Sequence, residues 1–184
     1  MTTIQLIHSD YRKYKKYGAK FIVIVFFTQA FWAIFQYRIA HFFYKTITIQ
    51  PFRFFIMFLM YIWQKGIEII TGISIPASVQ IGHSFYIGHF GGIIINSNSI
   101  IGYNCNISQG VTIGVSGLED KRGVPIIGNN VYIGANSVVA GKIIIGDNVL
   151  IGACSLVNNN FIGNCTLLGV PAAIVSDRGS KGYI

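Results

Sequence analysis

Acidic residues are scarce in this sequence: six Asp and Glu stand against 14 Lys and Arg. The shortage is local. Residues 1–72 hold nine Lys/Arg and two Asp/Glu, while residues 73–184 hold five and four. The positive field therefore belongs to the N-terminal third, where it points to an anionic surface more than to an anionic substrate. Nucleic acid is not an expected partner. Histidine is also rare: beyond residue 72 only His83 and His89 occur, too few for a catalytic zinc held by three histidines, so no metal is expected. The three cysteines, Cys105, Cys154 and Cys165, show no C-x-x-C spacing, which suggests reduced, packed thiols in a cytosolic protein. Long apolar runs are missing too. FIVIVFFTQAFWAIF (21–35) and PFRFFIMFLMYIWQK (51–65) fall short of the ~20 residues a membrane-spanning helix needs, and no small-residue cleavage site follows the first, which argues against a secretory signal.

What is present in that third is a basic cluster, YRKYKKYGAK (11–20), set beside the two aromatic-rich runs. Such a combination fits helices lying in a membrane interface, held by burial and by anionic lipid. The alternative is that residues 1–72 bury their apolar faces against each other and a partner subunit. The expected location is cytoplasmic, peripheral at the inner face of the cell membrane.

From residue 73 a different order takes over. Aliphatic residues fall at Ile75, Ile81, Ile87 and Ile93, then after a slip of two at Ile95, Ile101, Ile107 and Ile113. The beat resumes at Ile127, Ile133, Val139, Ile145, Ile151 and Val157. The period is six. Glycine follows the aliphatic position at Gly82, Gly88, Gly102, Gly114, Gly128, Gly134, Gly146 and Gly152. A helical period near 3.6 cannot hold that register, and strict alternation would not single out every sixth residue. Short strands with glycine at the corners describe a three-sided coil of about 18 residues, whose aliphatic side chains are buried by stacking coil on coil. The expected architecture is a parallel β-helix over residues 73–184, including a C-terminal tail, after an α-helical region at 1–72.

The repeat, with IGHFGGIIINSNSIIGYNCNISQGVTIG (87–114), IIGNNVYIGANSVVAGKIIIGDNVLIGACSLV (126–157) and GVPAAIV (169–175), resembles the hexapeptide-repeat acyltransferases, in particular their serine acetyltransferase branch. FWAIFQYRIAHFF (31–43) is similar to the helices that precede the repeat there. The resemblance implies a left-handed β-helix, a homotrimer or a multiple of three with its sites between neighbouring subunits, and acetyl-CoA as donor. It assigns His89 as the catalytic base, a role that suits an imidazole near neutral pH. His83 falls on a variable position, and His41 reads as a helix-packing residue. The gap between Ile113 and Ile127 carries eight inserted residues, which predict a projecting loop. By resemblance, Lys121 and Arg122 on that loop meet the acceptor or the CoA phosphates. Gly134, Ala135, Gly152 and Ala153 line the pantetheine arm, with Arg178 as a phosphate contact.

The sequence also departs from that branch. Gly88 and Ser74 stand where serine acetyltransferases carry aspartates beside and upstream of the catalytic histidine, and Gly123 and Val124 replace an Arg-His pair. Groups that would grip a zwitterionic amino acid are thus largely missing. The expected activity is O-acetylation of a sugar or surface-polysaccharide precursor, with serine O-acetylation as the alternative. A repeat scaffold without catalytic function is disfavoured by the presence of both His89 and the loop.

Overall fold

The computed structural model describes residues 1–184. Four helices come first: α1 (Thr3–Lys16), α2 (Phe21–Phe27), α3 (Gln29–Thr46) and α4 (Phe52–Thr71). The apolar run at 21–35 is not one helix. It bends by 74° at Thr28, whose hydroxyl donates back to Val23 O at 2.9 Å and so competes with the helical ladder. Helix α1 opens with a capping box between Thr2 and Gln5 and α4 closes on Gly72 in the left-handed conformation, so the helices end where capping chemistry places them.

The rest of the chain is a left-handed β-helix with three parallel faces. Ile73–Ser74, Ile93–Ile95, Thr112–Gly114, Val138–Ala140 and Leu156–Val157 form the first. Gln80–Ile81, Ile100–Ile101, Ile126–Ile127, Ile144–Asp147 and Phe161–Gly163 form the second. The third stacks Tyr86–Ile87, Asn106–Ile107, Tyr132–Ile133, Leu150–Ile151 and Thr166–Gly169, and ends in the antiparallel strand Ala172–Ser176. We number the edges of this prism: edge I joins the first face to the second, edge II the second to the third, and edge III the third to the next coil's first face. The period-six aliphatics fill the interior, where Ile87, Ile93, Ile113, Ile133, Val139, Ile151 and Val157 are fully buried.

Edge II is held by side chains as well as by backbone. Asn104, Asn130, Asn148 and Asn164 each take a positive φ of 52–58°, a region asparagine tolerates better than most residues. Their amides hydrogen-bond in sequence, Asn104 Nδ2 to Asn130 Oδ1 at 2.7 Å, Asn130 Nδ2 to Asn148 Oδ1 at 3.0 Å, and Asn148 Nδ2 to Asn164 Oδ1 at 2.9 Å. The free end of this ladder, Asn104 Oδ1, accepts from Lys13 Nζ at 2.6 Å. Cys105 and Cys165 are packed as expected, but Cys154 is exposed. It occupies a positive-φ corner on edge III, where the side chain points away from the core.

Helices α1 and α3 close the open end of the solenoid. Arg38 donates to Ile81 O and Gly82 O at 2.7 and 2.6 Å and forms a bidentate pair with Asp10 at 2.8 and 3.1 Å. Tyr37 hydroxyl donates to Val79 O, Tyr14 hydroxyl to Ile87 O, and His41 Nδ1 bonds Ala77 O. His41 therefore does more than pack between helices: it joins α3 to the first coil.

Burial pushes the Lys13 ammonium down to about 8. Between that value and the ordinary 10.5 the folded chain has released a proton from Lys13 that the unfolded chain keeps, so the contribution of this group to stability rises with pH across that window. Burial pushes the Cys105 thiol up to about 11, which acts in the opposite sense from pH 9 upward. The Lys13 effect is therefore read as a difference: the urea-unfolding midpoint of wild type should rise relative to that of Lys13→Met between pH 8 and 10.5.

Candidate active site

Register explains how His89 is presented. Ile87 pairs with Ile107 and Ile95 with Ile113, so the step from third to first face is two residues longer in the first coil than in the second. The surplus lies in His89-Phe90-Gly91-Gly92, and edge III bulges there. Gly91 and Gly92 take φ of +102° and +66°, and a Cβ on Gly92 would sit 3.4 Å from Gly110 Cα. The bulge leaves His89 and Phe90 exposed, with no hydrogen bond to the imidazole from its own chain. His83 is held differently: its ring stacks on Tyr103 at 5.0 Å and its Nδ1 lies 3.1 Å from Ser84 Oγ.

Residues two places beyond the buried aliphatic of the third face repeat along edge III as His89, Gln109, Ala135 and Ala153. Backbone bonds tie the column together: Gly110 N to Gly91 O, Asn136 N to Gln109 O, and Cys154 N to Ala135 O, at 2.8–2.9 Å. Coils in a parallel ladder are ~4.8 Å apart, so Ala153 lies roughly 14 Å along the edge from His89. Gly134 permits this stacking, since a Cβ there would come within 2.6 Å of Ala153 N. The structure thus brings His89, Gly134, Ala135, Gly152 and Ala153 onto one edge, lined by small groups that an extended ligand arm can approach closely.

The remaining predicted residues lie elsewhere. The insertion projects from edge I as expected, pinned at its base by a Ser116–Gly123 bridge and turning through Glu119–Lys121. Lys121 lines a polar cleft of about 450 Å³ with Lys142 and Asn158–Asn160, while Arg122 is exposed. A whole face separates both from His89 within one chain. Arg178 is further removed: it sits on edge II beside the asparagine ladder and Asp177. Within one chain Arg178 thus lies on a different edge from Gly134 and Gly152, because the antiparallel return Ala172–Ser176 carries the chain away from edge III.

Glu68 escaped notice in the sequence, where it reads as one charge near the end of α4. It accepts from Ser74 Oγ at 2.7 Å, from Gln64 at 2.7 Å and from Lys65 at 2.5 Å. Burial would raise its carboxyl, yet the hydrogen bonds from Lys65, Ser74 and Gln64 hold it below the usual value. The hydroxyl at position 74 therefore carries a carboxylate at one remove. Three or more His, Cys, Asp or Glu side chains do not come together as a metal site anywhere in the chain.

A stacked β-helix with a histidine on a small-residue edge places the chain among bacterial hexapeptide transferases, and residues 125–159 match the family described as bacterial transferase hexapeptide (six repeats). A serine acetyltransferase of Bacillus pumilus is 32% identical over 161 residues, covering 88% of this chain and 70% of the relative. The solved serine acetyltransferase of Brucella abortus in complex with coenzyme A superposes with a TM-score of 0.84 at 26% identity, over 96% of this chain and 68% of the other. That of Neisseria gonorrhoeae in complex with serine gives 0.79 at 28% identity, over 95% and 69%. The chain belongs to the hexapeptide-repeat transferase family, in its serine acetyltransferase-like branch. It spans about half the length of several curated relatives.

The bulge makes a testable demand on Gly92. Gly92→Ala combines an unfavourable φ with a close approach to Gly110, and should cost about 1–2 kcal/mol of stability. A denaturant midpoint equal to wild type would contradict the corner's geometry.

Proposed function

We propose that the chain is an acetyl-CoA-dependent O-acetyltransferase with His89 as general base. The observation that carries this reading is an exposed imidazole, unbonded within its chain, at one end of an edge that continues through Gln109 to the small residues Gly134, Ala135, Gly152 and Ala153, in a chain related to serine acetyltransferases. One of these relatives is solved with coenzyme A. The imidazole takes the acceptor's hydroxyl proton as the oxygen attacks the thioester carbonyl. The carbon–sulfur bond then breaks, and the proton passes to the departing thiolate. The products are an O-acetyl ester and free CoA thiol. Gly134, Ala135, Gly152 and Ala153 would line the pantetheine arm.

Kinship favours serine as the acceptor over the sugar expected from the sequence, since the relatives are named for serine and one is solved with it. A second reading, acetylation of a sugar hydroxyl, rests on one observation: Gly88, Gly123 and Val124 offer no charge to an amino acid's carboxylate or ammonium, and the Ser74 hydroxyl is occupied by Glu68. Release of CoA thiol, followed with free serine and with a panel of glycans and nucleotide sugars, separates the two. Turnover of serine well above every glycan supports the first reading, and the reverse order the second.

We infer a trimer as the working unit. Lys121 and Arg122 lie a face away from His89 in one chain, so they meet a histidine only across a subunit boundary. Ile100, Ile126 and Ile144 pair in register as an outward aliphatic ladder suited to such a boundary. Light scattering should give three chains or a multiple of three, and an active monomer would refute the shared site.

His89→Ala should lower turnover by about 10²- to 10⁴-fold with little change in acetyl-CoA affinity. His83→Ala, remote from edge III, should be mild. Survival of activity within a few-fold in His89→Ala would remove the base from the mechanism.

A further inference from the structure

We propose that α2 and α4 seat the helical region on an anionic lipid bilayer, lying flat in its interface. Their outward side chains enter the acyl–headgroup boundary, while Arg12, Lys15, Lys16 and Lys20 meet the headgroup phosphates. This inference stands apart from the acetyl-transfer reading and rests on three features of the helices.

The first is the apolar surface. Helix α4 covers one stripe, Arg53, Met57, Met60, Gln64, Ile67 and Thr71, with Trp63 and Glu68 at its margins against Phe35 and Ser74, and turns the other side outward. Phe54, Phe55 and Phe58 there are 72%, 57% and 52% exposed, with Leu59 and Ile62 between them. All but two residues of α2 are exposed as well, among them Phe21, Ile22, Phe26 and Phe27. Beside them an apolar groove of about 570 Å³ opens among α1, α2, α3 and α4, lined by Tyr11, Val25, Trp32, Phe35 and Trp63. Contiguous apolar surface of this kind marks an interaction site.

The second feature selects the partner. The two carboxylates of residues 1–72 are both engaged, Asp10 by Arg38 and Glu68 by Lys65. Lys13 is buried against Asn104, so it is not part of the basic surface. Arg12, Lys15, Lys16, Lys20 and Lys45 remain exposed with no carboxylate partner. Lys15 and Lys16 end α1, and Lys20 is the residue that caps α2. The apolar helix is thus entered through a run of cations. A second copy of the same surface would bring like charges together, whereas an anionic bilayer satisfies both the charge and the aromatic face.

The third feature is orientation. Although α4 is 20 residues long and apolar enough to cross a membrane, its last turns hold Gln64, Lys65 and Glu68, and Glu68 is fastened to Ser74 at the start of the β-helix. The helix lies along α3, whose Arg38 is bonded into the first coil. That packing suits an interfacial helix and opposes a spanning one.

Co-sedimentation of the full chain with vesicles tests the proposal, comparing phosphatidylcholine alone with an equal mixture of phosphatidylcholine and phosphatidylglycerol at low and high salt. The protein should pellet with the mixed vesicles at low salt and be released as salt screens the attraction. Arg12→Gln, Lys15→Gln, Lys16→Gln and Lys20→Gln should each weaken binding by about five-fold. The triple variant Phe54→Ser, Phe55→Ser, Phe58→Ser should abolish pelleting, with its thermal unfolding by circular dichroism close to wild type because all three side chains face outward. Protein that stays in the supernatant with mixed vesicles at low salt overturns the proposal. A triple variant whose mass by light scattering drops below wild type, while vesicle binding is unchanged, overturns it too and assigns the face to a second copy.

Discussion

A β-helix whose coils bond to one another leaves its first coil with backbone carbonyls and nothing beneath them. Everything else in this chain depends on how that end is closed. Buried carbonyls without donors are costly, and four side chains supply the donors: Tyr14 from α1, and Tyr37, Arg38 and His41 from α3. Arg38 serves two carbonyls at once, which its planar fork allows. A buried guanidinium needs a counterion, and Asp10 provides it, with one carboxylate oxygen also accepting from Phe85 N at 2.7 Å. Burial raises the Asp10 carboxyl against the pull of Arg38 and of that N–H. The helices therefore close the solenoid end with these polar donors set in an apolar face, where Phe31, Ile34 and Tyr37 of α3 join the buried core, while most apolar residues of α2 and α4 face outward.

Once the end is closed, the prism's edges divide the work. Edge II carries the asparagine ladder, edge III the small residues and the bulged histidine corner, and edge I the inserted loop. Parallel stacking translates any residue at a given step of the repeat into a column, so a single choice of position fixes a row of side chains. That is how residues as far apart in sequence as His89 and Ala153 come to lie on one edge.

Much of this could be read from the sequence because the repeat is local and periodic. The aliphatic beat set out the faces and the long step from Ile113 to Ile127 marked the loop, whereas the slip between Ile93 and Ile95 took its meaning, the bulge at His89, only from the register of the coils. What escaped was set by contacts between distant segments. Lys13 reads as one of a basic cluster, yet it caps a ladder that begins 91 residues later. Glu68 acquires its meaning only when α4 meets Ser74, and Arg178 comes to edge II because the final strand runs antiparallel. Cys154 looked like a core thiol by type, but its corner conformation decides its exposure. The asparagine ladder did leave a trace, an Asn three places after Ile101, Ile127 and Ile145, hidden by the more obvious glycines.

The asparagine ladder also limits where the chain can change length. Every amide in it points the same way, from Lys13 toward Asn164, so an extra residue on edge II would break two bonds and put all later rungs out of phase. Edge III is bound in a similar way by glycine contacts between coils. Edge I has no such column: its turns read NSNS, GVSGLEDKRGVP, GKI and NNN in successive coils. Edge I is therefore the side where turn length varies most, and it accommodates turns from three residues to the long insertion while the coils on either side stay in register.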